Sequence, residues 1–195
     1  MPEKTVVSHI LTEAKKLIAQ NLALSKYTNM PENPLPYTVQ KPRTLPVVTL
    51  LANMAGQCSP DTEPLTQAII DGADCLYWQQ SYSADQVGDA YLDKYGWFNL
   101  ISPDGPFVSS ELRLSIGMWG QGLYYPEHWH EPEEKYCVLA GGAKFMAKGR
   151  LPMVVKAGGI VHHESNQPHA MDMQDSPLLA LAIWRGGALT RPSHI

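Results

Sequence analysis

Along the first half of the chain, apolar residues recur every three or four positions. Val6, Val7, Ile10, Leu11, Ala14, Leu17 and Ile18 mark one face of a helix predicted over residues 3–24, with Lys15, Lys16 and Gln20 on the other. Pro31, Pro34, Pro36 and Pro42 make a connector. Pro46 is placed to open a second helix that turns Val47, Leu50, Leu51 and Met54 inward and ends near Gly56. A third helix is predicted over residues 62–81, with Thr62 as candidate cap and Pro64 in its first turn. Ser83-Ala84-Asp85-Gln86 matches a capping box and starts a short fourth helix through Tyr95. Residues 1–96 therefore read as a helical region packing on a sheet. Trp78, Tyr82, Tyr91 and Tyr95 read as core or interface rather than as a cofactor pocket. The amphipathic stripe could also be buried in a homodimer.

Near residue 97 the pattern changes. Short apolar or alternating runs now end at turn signals. Phe98–Ile101 runs into Pro103-Asp104-Gly105-Pro106, and Leu112–Met118 into Gly120-Gln121-Gly122. Cys137–Leu139 is expected to end at Gly141-Gly142, Lys144–Ala147 at Lys148-Gly149-Arg150, and Met153–Val155 at Gly158-Gly159. Ile160–His163 and Leu178–Trp184 complete the set. Many short strands at this spacing predict a mainly β, antiparallel double-sheet barrel over residues 97–195.

Composition narrows the class. In 195 residues, a 44% apolar share with 17% charged residues describes a globular chain able to bury one core. A formal charge of −4 argues against nucleic acid or an anionic membrane as partner. No apolar run reaches the length of a membrane span, and Glu3, Lys15 and Lys16 interrupt what would be a secretory signal. Cys58, Cys75 and Cys137 are odd in number and irregular in spacing, which fits a reducing compartment, most simply the cytoplasm.

The candidate chemistry lies between Gly122 and Gly142. His128 and His130 are one residue apart, and alternate side chains of a strand point the same way. Glu134 and Tyr136 have the same relation on the next strand, once the Glu131-Pro132-Glu133 turn has reversed the chain. Two imidazoles and a carboxylate aimed at one point suit a first-row divalent ion. His162, His163 and His169 are the candidates for a further ligand. His162 and His163, adjacent on a strand, face opposite ways, and His163 reads as an ordinary strand residue.

These spacings resemble a known family. Gly122, five residues, His128-x-His130, three residues, Glu134, six residues and Gly141 match the first signature of the cupin superfamily. In the second signature, a register from Gly158 puts Asn166 at a glycine position and His169 at the ligand. A rival register from Ala157 makes His162 the ligand. The Pro168-His169-Ala170-Met171 turn before the Pro177–Leu181 strand favours His169. Tyr-Pro-Glu-His-x-His, Glu-Glu-x-Tyr and Pro-His-Ala-Met, with a closing strand ending in Trp184, resemble the cupin dimethylsulfoniopropionate lyases, which also carry a helical N-terminal region. The resemblance implies that His128, His130, Glu134 and His169 hold one divalent transition ion (Zn, Fe, Mn, Ni or Co), that Tyr136 is the base, and that Tyr125 lines the substrate site. This chain departs from the family at Trp129, where histidine is frequent, and at Lys135, where an aliphatic residue is frequent.

The chemistry implied is elimination from a small carboxylate. Metal binding of the carboxylate acidifies the α-proton, and a β-sulfonium leaves as a neutral thioether. Dimethylsulfoniopropionate would give dimethyl sulfide and acrylate. Tyr124, Tyr125, Trp129 and Trp184 lie near ligand positions, and aromatic faces attract onium groups. Two other classes share the ligand pattern: an isomerase, dioxygenase or lyase on another carboxylate, and a non-catalytic metal-binding or ligand-binding module.

Overall fold

A computed structural model describes residues 2–31 and 35–195. Helix α1 runs over Pro2–Gln20 and buries Val7, Ile10, Leu11, Ala14, Leu17 and Ile18, the predicted face. It stops before residue 24 because the Asn21 side chain captures backbone donors. Its Oδ1 accepts from the Ala23 and Leu24 N–H groups and starts α2, Leu22–Ser25. Of the connector prolines, Pro34 lies outside the described residues. Pro46–Gln57 forms a 3-10 helix that turns Val47, Leu51 and Met54 inward.

The third helix is shorter than its pattern predicts. α3 covers Glu63–Gly72, a 3-10 turn covers Ala73–Cys75, and the chain then runs extended, with Gln79 bridged to Trp97. Thr62 does not cap α3 with its side chain; its hydroxyl donates to Leu139 O at 2.6 Å and ties the helix to the barrel. The capping-box segment gives two short helices, α4 (Ala84–Val87) and α5 (Asp89–Leu92), separated at Gly88. No helix among the described residues is long and apolar enough to cross a membrane.

Nine strands follow: β1 Tyr95–Ser102, β2 Phe107–Val108, β3 Leu112–Trp119, β4 Tyr124–His128, β5 Glu133–Ala147, β6 Met153–Lys156, β7 Ile160–His163, β8 His169–Asp172 and β9 Leu178–Arg185. The order is β2-β1-β3-β9-β5-β8-β4, with β6 and β7 also on β5. Every pairing among the described strands is antiparallel except the short contact of β1 with β2. The fold is mainly β, two sheets closed into a barrel with helices at its N-terminal side.

Strand β5 joins the two sheets. Its first part pairs with β9 and β7, and its last part with β6 and β8. Gly141-Gly142, expected to end the strand, instead carries it through a corner. Gly141 has φ +69°, and a Cβ there would lie 1.9 Å from the Pro177 carbonyl oxygen. The corner lets one strand serve both sheets.

Because β9 is covered on both sides, it reads as a continuous apolar run. Leu179, Leu181 and Ile183 join the core shared with α1, α3 and the 3-10 helix; Leu178, Ala180 and Ala182 join the core inside the barrel. β5 divides the same way, with Cys137 and Leu139 toward the helices and Tyr136 and Val138 inside.

Gly141→Ala should therefore lower stability by at least about 2 kcal/mol, the sum of a left-handed non-glycine residue and overpacking against a backbone carbonyl. Gly149, also left-handed but with nothing within 4 Å of its added Cβ, provides the control. Gly149→Ala should lose only about 1 kcal/mol. Urea denaturation of both variants measures the difference, and equal losses would refute the corner's steric role.

Candidate metal centre and active site

His128 ends β4 and pairs across the ladder with His169, the first residue of β8. Their ring centroids are 4.0 Å apart. His130 follows just beyond β4, where the chain crosses from one sheet to the other. The crossing is held by the backbone bridge of Trp129 to His194 and by the Asn166 N–H donating to His130 O at 2.8 Å. Asn166 has φ 56°, the positive value that the second-signature register requires of it. Glu134 lies on β5, opposite His163 on β7.

Each of three rings is fixed through Nδ1. His128 Nδ1 bonds Pro126 O at 2.9 Å, His130 Nδ1 bonds Pro132 O at 2.8 Å, and His169 Nδ1 bonds Gln167 O at 2.8 Å. A carbonyl only accepts, so Nδ1 carries the proton. In the neutral ring Nε2 then presents a lone pair. The ligand nitrogens of these three histidines lie within 4.8 Å of one another. Glu134 Oε2 stands 3.2 Å from His130 Nε2 and 3.4 Å from His169 Nε2, while its Oε1 accepts from Trp184 Nε1 at 2.6 Å.

All four side chains are at least 97% buried, with His130 the most accessible at 3%. Burial first, and then the neighbouring His169, hold the His128 imidazole well below its ordinary value, so it stays neutral. Burial pushes the Glu134 carboxyl upward, but His130 and His169 outweigh it and keep it well below the usual carboxylate range. With each Nδ1 committed to a carbonyl, the Nε2 atoms and the Glu134 carboxylate are held together only by a shared cation between them, a proton or a metal ion. A divalent cation is the group that this donor set fits, and the cluster could bind one. His169 Nε2 is buried with no hydrogen-bond partner, as a ligand atom would be without its ion.

A cavity of about 260 Å³ adjoins the cluster at Glu134, Tyr136 and Trp184. Tyr136 follows Glu134 by two residues on β5 and shares its inward face. Burial, and then the Glu134 carboxylate, hold its phenol well above the ordinary range. Tyr125 also lines the cavity. Its ring lies 4.1 Å from that of His128, and its hydroxyl shares a 2.9 Å hydrogen bond with Tyr82.

The structure brings some of the residues singled out from the sequence to the cavity and leaves others outside it. Tyr124 is 54% exposed and Trp129 37%, and neither lines the cavity. Tyr124 is turned outward by the alternation of β4, and Trp129 stacks on His194. His162 points to the outer surface, where its Nε2 meets Glu133 Oε1 at 2.6 Å, away from the His128/His130/His169 group. His163, read as an ordinary strand residue, is fully buried and stacks on His169 with centroids 3.9 Å apart. Trp184 lines the cavity as expected, but its ring is already engaged, 4.1 Å from His130 and 4.6 Å from the Arg113 guanidinium. The departures at Trp129 and Lys135 both face away from the cavity. Lys135 Nζ donates outward to Ala23 O at 2.9 Å.

Other residues entered the site unannounced. Tyr82 and Tyr91 from the helical region and Tyr95 from the start of β1 pack around Tyr125. Arg113 crosses β3 into the cavity wall, its Nε donating to Asn99 Oδ1 at 3.2 Å. A lone arginine in the apolar run Leu112–Trp119 was the available signal for it.

Comparison with known proteins agrees with this architecture. The dimethylsulfoniopropionate lyase family profile matches residues 19–180. The chain is 32% identical over 184 residues to the dimethylsulfoniopropionate lyase DddQ of Ruegeria pomeroyi, covering 94% of this chain and 91% of that one. It is 27% identical over 125 residues to the putative lyase DddL of Cereibacter sphaeroides, covering 63% of this chain and 51% of that one. A crystal structure from work on the lyases RdDddP and RnDddQII superposes with TM-score 0.94 at 32% identity, covering 99% of this chain and 98% of that one. The crystal structure of DddQ from Ruegeria pomeroyi superposes with TM-score 0.88 at 30% identity, over 96% of this chain and 98% of that one. With its β-barrel and N-terminal helices, the chain belongs to the dimethylsulfoniopropionate lyase family of carbon–sulfur lyases.

Proposed function

We propose that this protein cleaves dimethylsulfoniopropionate by β-elimination, giving dimethyl sulfide and acrylate, with Tyr136 as general base. His128, His130, Glu134 and His169 are the proposed ligands of one divalent metal ion. The observation that carries the reading is the convergence of three tethered imidazoles on one another, two of them on the Glu134 carboxylate, with Tyr136 on the same face of β5 at the wall of a cavity. A divalent ion bound there supplies Lewis acidity to a substrate carboxylate and offsets the Glu134 charge that otherwise keeps the Tyr136 phenol protonated.

The protein's own groups do the rest. The Tyr136 oxygen takes the proton from the carbon next to the carboxylate. The electron pair of that C–H bond becomes the new C=C bond, and the C–S pair departs with sulfur as a neutral thioether. Tyr95, Tyr125 and Trp119 supply aromatic wall for the sulfonium. Trp184 does not offer a free face. Its role is to hold Glu134 through the 2.6 Å Nε1–H bond, an outer contact of the kind that orients a ligand carboxylate.

Three outcomes test this. His130→Ala and His169→Ala should lose bound metal in elemental analysis, whereas His162→Ala should retain it; retention by His169→Ala would overturn the ligand set. Trp184→Phe should keep the ring packing and weaken metal binding about 10–100-fold in chelator competition, and an unchanged affinity would leave Glu134 held by something else. Tyr136→Phe should retain its metal and lose about 10²–10⁴ in the rate of dimethyl sulfide release. Tyr125→Phe should lose less. Full activity in Tyr136→Phe removes the base assignment. A metal-replete wild type that leaves the sulfonium intact moves the reaction to another small carboxylate.

A further inference from the structure

One buried histidine is unaccounted for by that ligand set. Residue 163 lies opposite residue 134 across the β5–β7 ladder, so the His163 ring emerges beside Glu134 inside the barrel. It is 0% exposed, and neither Nδ1 nor Nε2 has a hydrogen-bond partner. Leaving a buried polar atom bare costs about 1–3 kcal/mol, so the ring needs an occupant for at least one nitrogen. Apolar Ile160 and Val161 share its strand, and Tyr136 presents only an edge-on ring at 6.0 Å. The polar atoms in reach lie on one side. One ligand atom each from Glu134, His163 and His169 lie within 4.8 Å of one another.

The donors thus form two triads, His128/His130/His169 and Glu134/His163/His169, which share His169. His163 differs from the other three histidines in one respect: no carbonyl fixes its Nδ1. It rests stacked on His169, interplanar angle 13°, with no hydrogen bond fixing its orientation. We propose that His163 is a fifth, displaceable protein donor to the metal. It closes the shell when no substrate is present and withdraws to the stacked position when a carboxylate takes its place. The inference rests on the proposed metal site and adds to it a reason why an untethered, unpartnered imidazole is kept beside Glu134.

The test is cobalt(II)-substituted wild-type protein observed by paramagnetic NMR, where hyperfine-shifted ring signals count ligated histidines. Four sets are expected at rest and three with saturating acrylate as the carboxylate probe. Three sets at rest, or four in both states, overturn the proposal. His163→Phe keeps a ring against His169 and cannot ligate. It should bind cobalt about tenfold more weakly in chelator competition and bind acrylate at the metal about tenfold more tightly, because the internal competitor is gone. Unchanged affinities for both overturn the proposal independently of any count. Failure of the wild type to bind cobalt at all would strike the metal reading itself, whereas binding with three histidines would strike only His163.

Discussion

The constraint behind this architecture is a carboxylate that has no business being where it is. Glu134 is 1% exposed, and one of its oxygens accepts from the Trp184 indole N–H. The other oxygen faces His130 and His169 through nitrogens that, with Nδ1 committed to carbonyls, offer lone pairs. A buried carboxylate set against acceptors costs several kcal/mol unless a cation intervenes. The surrounding structure is arranged to hold these acceptors together rather than to relieve them. Backbone carbonyls of residues 126, 132 and 167 orient the rings, and Trp184 orients the carboxylate. Each of these contacts reaches a side chain from behind, leaving its lone pair aimed at the shared point.

Holding ligands from two sheets at one point demands a rigid connection between the sheets. β5 is that connection. It carries Glu134 and Tyr136 in one sheet, turns at Gly141, and pairs in the other sheet with β8, which carries His169. The corner depends on a residue with no Cβ beside the Pro177 carbonyl. On the outside, α1, α3 and the 3-10 helix share one continuous core with β9 and the outward residues of β5. Burying both faces of these strands costs the protein its freedom to slip register, because a slip of one residue would turn Glu134 and Tyr136 out of the barrel.

Much of this was legible in the sequence, and the failures have physical reasons. The His-x-His spacing, Glu134 and Tyr136 were readable because a strand's period of two admits no ambiguity about faces. The same period, carried back along β4, would put Tyr124, an even number of residues from His128, on the inward face, but the register shift between residues 125 and 128 turns it outward. Parity does not survive a bulge, and nothing local announces one. The double glycine was read as a stop because glycine pairs usually end strands; whether a corner continues depends on Pro177, distant in sequence. The aromatic residues 82, 91 and 95 were assigned to core or interface; 82 and 95 are core with 91 packed against it, yet Tyr95 also lines the cavity and the other two back Tyr125 in its wall. His163 was read as an ordinary strand residue because adjacent strand residues face opposite ways and nothing local says which of His162 and His163 turns inward. Only the β5–β7 register shows that it shares a face with Glu134.

The alternation of β5 finally explains why a charged cluster outside the barrel bears on the chemistry inside. Glu134 and Tyr136 point in; Glu133 and Lys135 point out. Outside, Arg185 bonds Glu133 at 2.8 Å and lies 4.0 Å over the Tyr27 ring, which Lys135 also approaches at 4.7 Å. Lys135 reaches Ala23 O and Arg185 reaches Tyr27 O at 3.0 Å, so the segment after α1 is pinned to the outer face of the strand. Individually such partly exposed pairs are weak, on the order of 1 kcal/mol or less. Their value is positional. They clamp both neighbours of Glu134 and the neighbour of Trp184, so the strand cannot roll without breaking several contacts at once. Lys135, an oddity when read against the family pattern, is in this chain the handle by which the helical region grips the strand that carries Glu134 and Tyr136.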